Sequence, residues 1–123
     1  MLETSRVIAF IPTRDAVRAR AFLEGILALR FVAEDNFALV FEVAGTMIRY
    51  VKIDDFVPAS YTVLGWQVID IRASVAELAS KGVTFERYPG MPQDDLGIWA
   101  SDGAEVAWFK DPDGNLLSLT QLR

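Results

Sequence analysis

Apolar and polar residues alternate along this chain in short blocks, and the blocks fall into two halves of similar grammar. The first half opens with RVIAFIP at residues 6–12, an apolar run rich in strand formers. Thr13 and Asp15 then stand as candidate caps before VRARAFLEGILAL, where Val17, Ala21, Phe22 and Leu23 recur at helical spacing. Arg18 and Arg20 fall on the wetter side of that helix. Three strand-like runs follow, at residues 29–33, 37–43 and 47–53. Their joints, Glu34-Asp35-Asn36 and Ala44-Gly45-Thr46, read as hairpin turns.

The second half repeats the order. YTVLGWQVI at residues 61–69 predicts a strand, Asp70 a cap, and SVAELASKG a helix that Gly82 closes in a left-handed conformation. A strand is expected at 83–87, then a loop, YPGMPQDDLG. A strand pair over 98–110 turns at Asp102-Gly103, and a last strand follows Asp113-Gly114. Residues 54–60 link the halves, with Pro58 interrupting any regular element. Both halves therefore read β-α-β-β-β, with Asp15 matching Asp70 and Gly45 matching Gly114. The second interval is longer, and its extra residues fall within 88–103. The expected fold class is α+β: one domain over residues 1–123, with module 1 at 1–53 and module 2 at 61–123. Two curved sheets, helices outside, would bury their faces around a partly open barrel or cleft.

Composition narrows the chemistry. At 123 residues, 52% hydrophobic and 24% charged, the chain matches one globular domain. It has no cysteine, which removes disulfides and thiolate metal sites, and no histidine, which removes the commonest general base and transition-metal ligand together. A net charge of −5 argues against nucleic acid as a partner. No apolar run reaches the ~20 residues of a membrane helix, and the first residues lack a signal-peptide pattern. A cytoplasmic protein with no membrane partner is the expectation.

Three features together, the paired modules, the VIDI-x3-VAELASKGV segment and FKDPDGNLLSLTQ, resemble the vicinal oxygen chelate superfamily. That group includes glyoxalases, extradiol dioxygenases, fosfomycin-resistance enzymes and bleomycin-binding proteins. The resemblance covers essentially the whole chain and implies the glyoxalase/bleomycin resistance fold. In metal-dependent members, His, Gln or Glu ligands project from the first and last strand of each module. The matching positions here are Ile8, Arg49, Val63 and Ser118. Two are aliphatic, one is a permanent cation and one a neutral hydroxyl, so no divalent-metal ligand set is present and no cofactor is expected.

With that register, Ile8, Phe10, Pro12, Met47, Arg49 and Val51 share a face in module 1. Val63, Gly65, Gln67, Leu116, Ser118 and Thr120 share one in module 2, while Leu64, Trp66 and Val68 turn toward the helix. The candidate ligand-binding residues are Phe10, Arg49, Gln67, Trp99, Ser118 and Thr120, an apolar surface with a few polar groups. Arg49 either anchors a ligand carboxylate or phosphate, or pairs with an acidic side chain such as Glu42 or Glu105, or snorkels out of the cleft. The loop at 89–99 either borders the pocket with Trp99 as an aromatic wall, or simply solvates a turn.

The reading that follows is a metal-independent protein binding a small, partly apolar organic ligand between its modules, working as a homodimer as the resemblance implies. The alternative is a lyase or oxidoreductase using a non-standard carboxylate metal site, or acid/base catalysis from Asp94, Asp95 or Glu105. A third reading is an accessory module whose cleft is filled by its own side chains.

Overall fold

The computed structural model describes all 123 residues. It divides into two compact units, Met1–Val57 and Pro58–Arg123.

In the first unit a short 3-10 turn (Leu2–Thr4) precedes strand β1 (Ile8–Thr13). The Asp15 side chain then accepts a hydrogen bond from the Arg18 amide (3.1 Å), capping helix α1 (Ala16–Arg20). Beyond Ala21 the helix widens to π geometry over Ala21–Ile26, with the Leu27 amide bonding the Phe22 carbonyl. That widening rotates the buried face. Ala19, Phe22 and Leu23 point into the core, whereas Val17, expected there, is 81% exposed, and Ala21 is exposed too. Arg20 is half-buried rather than fully wet: its guanidinium lies 3.6 Å above the Phe31 ring centroid and its Nε donates to Glu24 at 3.1 Å. Ala28, at φ 58°, closes the helix, and the Leu29 amide reaches back to the Leu23 carbonyl.

Strands β2 (Arg30–Glu34), β3 (Ala38–Val43) and β4 (Thr46–Lys52) complete a mixed sheet in the order β1-β4-β3-β2, with β1 parallel to β4. Ile11, Leu39, Phe41, Ile48 and Tyr50 face the helix and are buried. Each contributes roughly 1.5–3 kcal/mol through the surface it removes from water. Phe41 packs edge-on against both Phe31 and Tyr50.

The second unit repeats the plan. Strand β5 (Leu64–Gln67) is shorter than the expected 61–69, although the flanking Val63 and Val68 amides still bond Leu116 and Thr120 carbonyls. Asp70 caps helix α2 (Ile71–Ser80) through the Ala73 amide (3.1 Å), and Gly82, at φ 95°, closes it. Strands β6 (Trp99–Ala100), β7 (Ala104–Lys110) and β8 (Leu116–Leu122) give the order β5-β8-β7-β6, with β5 parallel to β8. The strand expected at 83–87 is reduced to one bridge, Phe85 opposite Phe109. Trp99 stands opposite Val106 further along the same edge of β7. The outer strand is thus split: its middle leaves the sheet as a loop while β7 runs straight on. The extra residues of the second module sit in that excursion.

The Asp-Pro-Asp-Gly-Asn segment is a closed turn between β7 and β8. Asp111 Oδ1 accepts from the Asp113 and Asn115 amides, both at 2.9 Å, and Oδ2 accepts from Asn115 Nδ2 at 2.8 Å. Asp111 and Asn115 are both buried, so these bonds replace water that neither group can reach. Trp66 stacks on Phe109 at 6.4 Å on the helix side of the sheet, as strand alternation requires.

The turn between β3 and β4 holds Ala44 at φ 49° ahead of Gly45 at φ 83°. The left-handed region suits Asn better than Ala. Ala44→Asn is expected to stabilise the chain by about 0.5 kcal/mol in urea unfolding; a loss of stability would show that the turn is not in this conformation.

Candidate functional site

Each sheet has one face toward its helix and one turned away, and the sequence-derived candidates lie on the faces turned away. On the second sheet the register lines up two cross-strand rows. Trp108 stands opposite Ser118, and Ser118 beside Gly65. Trp99 stands opposite Val106, which faces Thr120, which neighbours Gln67. Four candidates, Gln67, Trp99, Ser118 and Thr120, therefore share one face.

Phe10 and Arg49 belong to the other sheet, where they are direct neighbours on β1 and β4. Phe10 is 64% exposed. Arg49 does pair internally, but with neither Glu42 nor Glu105. Its Nη2 lies 3.6 Å from Asp35 Oδ2, while Glu42 is held by Arg30 and Glu105 lies near Arg123. Asp35 is first of all an acceptor for the Phe37 and Ala38 amides, which hold its carboxyl below the usual range, with Arg49 adding to them. The Arg49 ion pair is loose and half open to solvent, so its net contribution is small.

Ile8 sits opposite Met47, two positions along β4 from Arg49. Val63 donates its amide to Leu116, two positions along β8 from Ser118. Ser118 is 6% exposed. A Cβ on Gly65 would lie 2.7 Å from Ser118 Oγ, so the serine hydroxyl takes the room that a side chain at residue 65 would need. No group of three or more His, Cys, Asp or Glu side chains able to hold a metal ion is assembled. The ligand chemistry of Ile8 and Arg49 on one sheet, and of Val63 and Ser118 on the other, does not fit the divalent ion that this fold often carries.

The aromatic content of this face exceeds what the sequence alone indicated. Tyr88 meets Trp108 edge-on with ring centroids 5.6 Å apart, and Trp99 lies 6.3 Å from Trp108. Three half-buried aromatic rings thus form a cluster centred on Trp108, the residue opposite Ser118. Trp108 was readable as the residue facing Ser118 across the Asp-Pro-Asp-Gly-Asn turn; Tyr88 was not, because the loop excursion brings it in. Beside them a groove of about 390 Å³ is lined by Tyr88, Glu86, Lys110, Leu116 and Pro58. Burial, then the nearby Glu86 carboxylate, push the Tyr88 phenol above its usual 10, so it stays protonated at neutral pH.

The 88–99 loop is tied down by its own polar groups. Gln93 accepts from the Tyr88 amide through Oε1 (2.8 Å) and donates through Nε2 to the Glu86 and Gly97 carbonyls, both at 2.9 Å. Asp94 Oδ1 accepts from the Leu96 and Ile98 amides, and Oδ2 takes Arg72 Nη1 at 2.9 Å. Arg87 donates to the Asp94 and Asp95 carbonyls. Glu105 alternates with Val106 on the helix side of β7. Asp94 is thereby committed to the loop's own hydrogen bonds, and Glu105 leaves β7 on the face opposite Val106 and Trp108.

Against known proteins, no family model and no curated protein matches the sequence, but solved structures match it along its length. An antibiotic binding protein, TnmS3 from Streptomyces sp. CB03234, superposes with a TM-score of 0.77 at 22% identity, covering 100% of this chain and 99% of that one. A glyoxalase family protein from Bacillus anthracis matches with a TM-score of 0.77 at 16% identity, covering 98% and 96%. A member of the glyoxalase/bleomycin resistance protein/dioxygenase superfamily from Sphaerobacter thermophilus DSM 20745 matches with a TM-score of 0.73 at 24% identity, covering 98% and 99%. The chain has the glyoxalase/bleomycin resistance/dioxygenase fold, the architecture of the vicinal oxygen chelate superfamily.

Partial burial alone would raise the Asp94 carboxyl, but the Ile98 and Leu96 amides and then Arg72 outweigh it and hold it below its ordinary 3.8. A depressed carboxyl adds stability that is complete above the unfolded-state value and lost as pH falls through the folded one. Asp94→Ala is therefore expected to cost about 1 kcal/mol at pH 7, less than a fully buried carboxylate because solvent screens it. That difference should shrink as urea unfolding is repeated at pH values falling below 3.8. A difference independent of pH would contradict the ionised role.

Proposed function

We propose that this chain binds a small, partly apolar organic ligand on the open face of its second sheet, without a metal ion and as a binding protein rather than a metal-dependent enzyme. The observation that carries this is the cluster of Tyr88, Trp99 and Trp108, with Trp108 in the cross-strand row that runs through Ser118 to Gly65. Half-buried rings offer flat apolar area to a ligand, and Ser118, Thr120 and Gln67 supply a few hydrogen-bonding groups to orient it. The likeness to an antibiotic binding protein supports the class of ligand, an organic molecule large enough to lie across several rings. Arg49 and Phe10, neighbours on the first sheet, are candidate ligand contacts on that sheet's own face. A homodimer fits the reading, because β1 and β5 each end a sheet with one edge unpaired.

The test is thermal unfolding of the full chain against a panel of aromatic metabolites and antibiotics. A ligand at one hundred times its Kd stabilises by about 2.7 kcal/mol, a rise of several degrees. At least one member should give that rise in wild type, and Trp108→Ala should abolish the rise, whatever it does to the unliganded melting temperature. An equal rise in wild type and Trp108→Ala would place the ligand elsewhere and overturn the proposal, as would a panel with no effect.

A further inference from the structure

The groove beside the aromatic face contains a charge pair that the reading above leaves unused. Lys110 Nζ lies 3.5 Å from Glu86 Oε1. That is longer than the roughly 2.7–2.9 Å of a well-formed charge-assisted bond. The two partners are held very differently. The Glu86 amide donates to the Trp108 carbonyl at 2.8 Å, and its own carbonyl accepts from Gln93 at 2.9 Å, so its backbone is pinned on both sides. Its side chain is 28% exposed, against 53% for Lys110, whose ammonium hangs on a flexible stem at the end of β7. Glu86 is the fixed, deeper charge and Lys110 the movable one. Next to Glu86 stands Tyr88, the same ring that meets Trp108 edge-on.

A fixed carboxylate beside aromatic rings attracts a cation twice, by charge and through the negative faces of the rings. We infer that this groove is a subsite for an organic cation, an ammonium carried by the ligand, with Glu86 as counter-charge and Tyr88 as aromatic wall. The Lys110 ammonium holds the position in the free protein and swings away when the ligand's cation enters. A ligand carboxylate is the poorer fit, since it would meet Glu86 at once and find only a hydrated, exposed lysine. The overall charge of −5 also favours the approach of cations. The inference rests on the proposal that this face binds a ligand.

Benzylammonium, benzyl alcohol and benzoate, titrated into the full chain and followed by tryptophan fluorescence, separate the possibilities. Benzylammonium should bind about tenfold more tightly than benzyl alcohol, a charge-assisted bond's worth in a partly exposed site. Glu86→Gln should remove that preference while leaving benzyl alcohol binding in place. Lys110→Met should tighten benzylammonium about threefold, because the internal competitor is gone. Equal binding of benzylammonium and benzyl alcohol in wild type, or tighter binding of benzoate, would overturn the cation subsite and leave ligand binding standing. A preference that survives Glu86→Gln would overturn it as well. Failure of all three probes to bind would overturn the subsite and the binding face together.

Discussion

Between β7 and β8 a buried aspartate accepts three hydrogen bonds from within its own turn, and the register of the second sheet hangs on it. Asp111 ties the Asp113 and Asn115 amides and the Asn115 side chain into one closed unit, with Gly114 at φ 89° completing the reversal. A shift of one residue there would send every β8 side chain to the opposite face. Ser118 would exchange places with Leu117 or Leu119, and the row Trp108–Ser118–Gly65 would cease to exist. The charged turn is therefore structural rather than chemical: it spends its polar groups on itself and sets which side chains meet across the sheet.

The first module shows how much of this plan is repeated and where it departs. Asp15 and Asp70 cap their helices in the same way, and Gly45 and Gly114 occupy equivalent positive-φ positions before the last strand of each sheet. These features were legible because a short polar side chain ahead of an amphipathic run, or a glycine between two alternating runs, has few other structural uses. Strand alternation likewise placed Arg49, Ser118 and their neighbours on the correct faces. Val17 was misplaced because the helix widens after Arg20, which ordinary helical spacing does not anticipate. The strand expected at 83–87 survives only as a bridge because the chain leaves the sheet there and returns at Trp99. Gln93 gave no signal at all: its amide bonds backbone groups on three separated residues, a role set by the fold rather than by any local pattern.

Function follows from what the two modules keep and what they replace. The fold is shared with proteins described as glyoxalases, fosfomycin resistance proteins and antibiotic binding proteins. The positions that the resemblance matches to its metal ligands hold Ile8, Arg49, Val63 and Ser118. Three acidic groups are spent on the backbone: Asp94 fixes a loop, Asp35 fixes a turn, and Asp111 fixes a hairpin. The second sheet presents aromatic rings and a hydrogen-bonded loop that carries Tyr88 to them. On the proposed reading, such a surface would recognise by shape and stacking, with its polar groups orienting a ligand.

The central claim is that these positions no longer bind a divalent ion while the fold is retained. Metal content of the full chain, purified without chelators and exposed in turn to Zn, Mn, Fe and Ni ions, tests it most directly. Substoichiometric metal with an unchanged melting temperature is the expected result. One tightly held ion per chain that raises the melting temperature would contradict it.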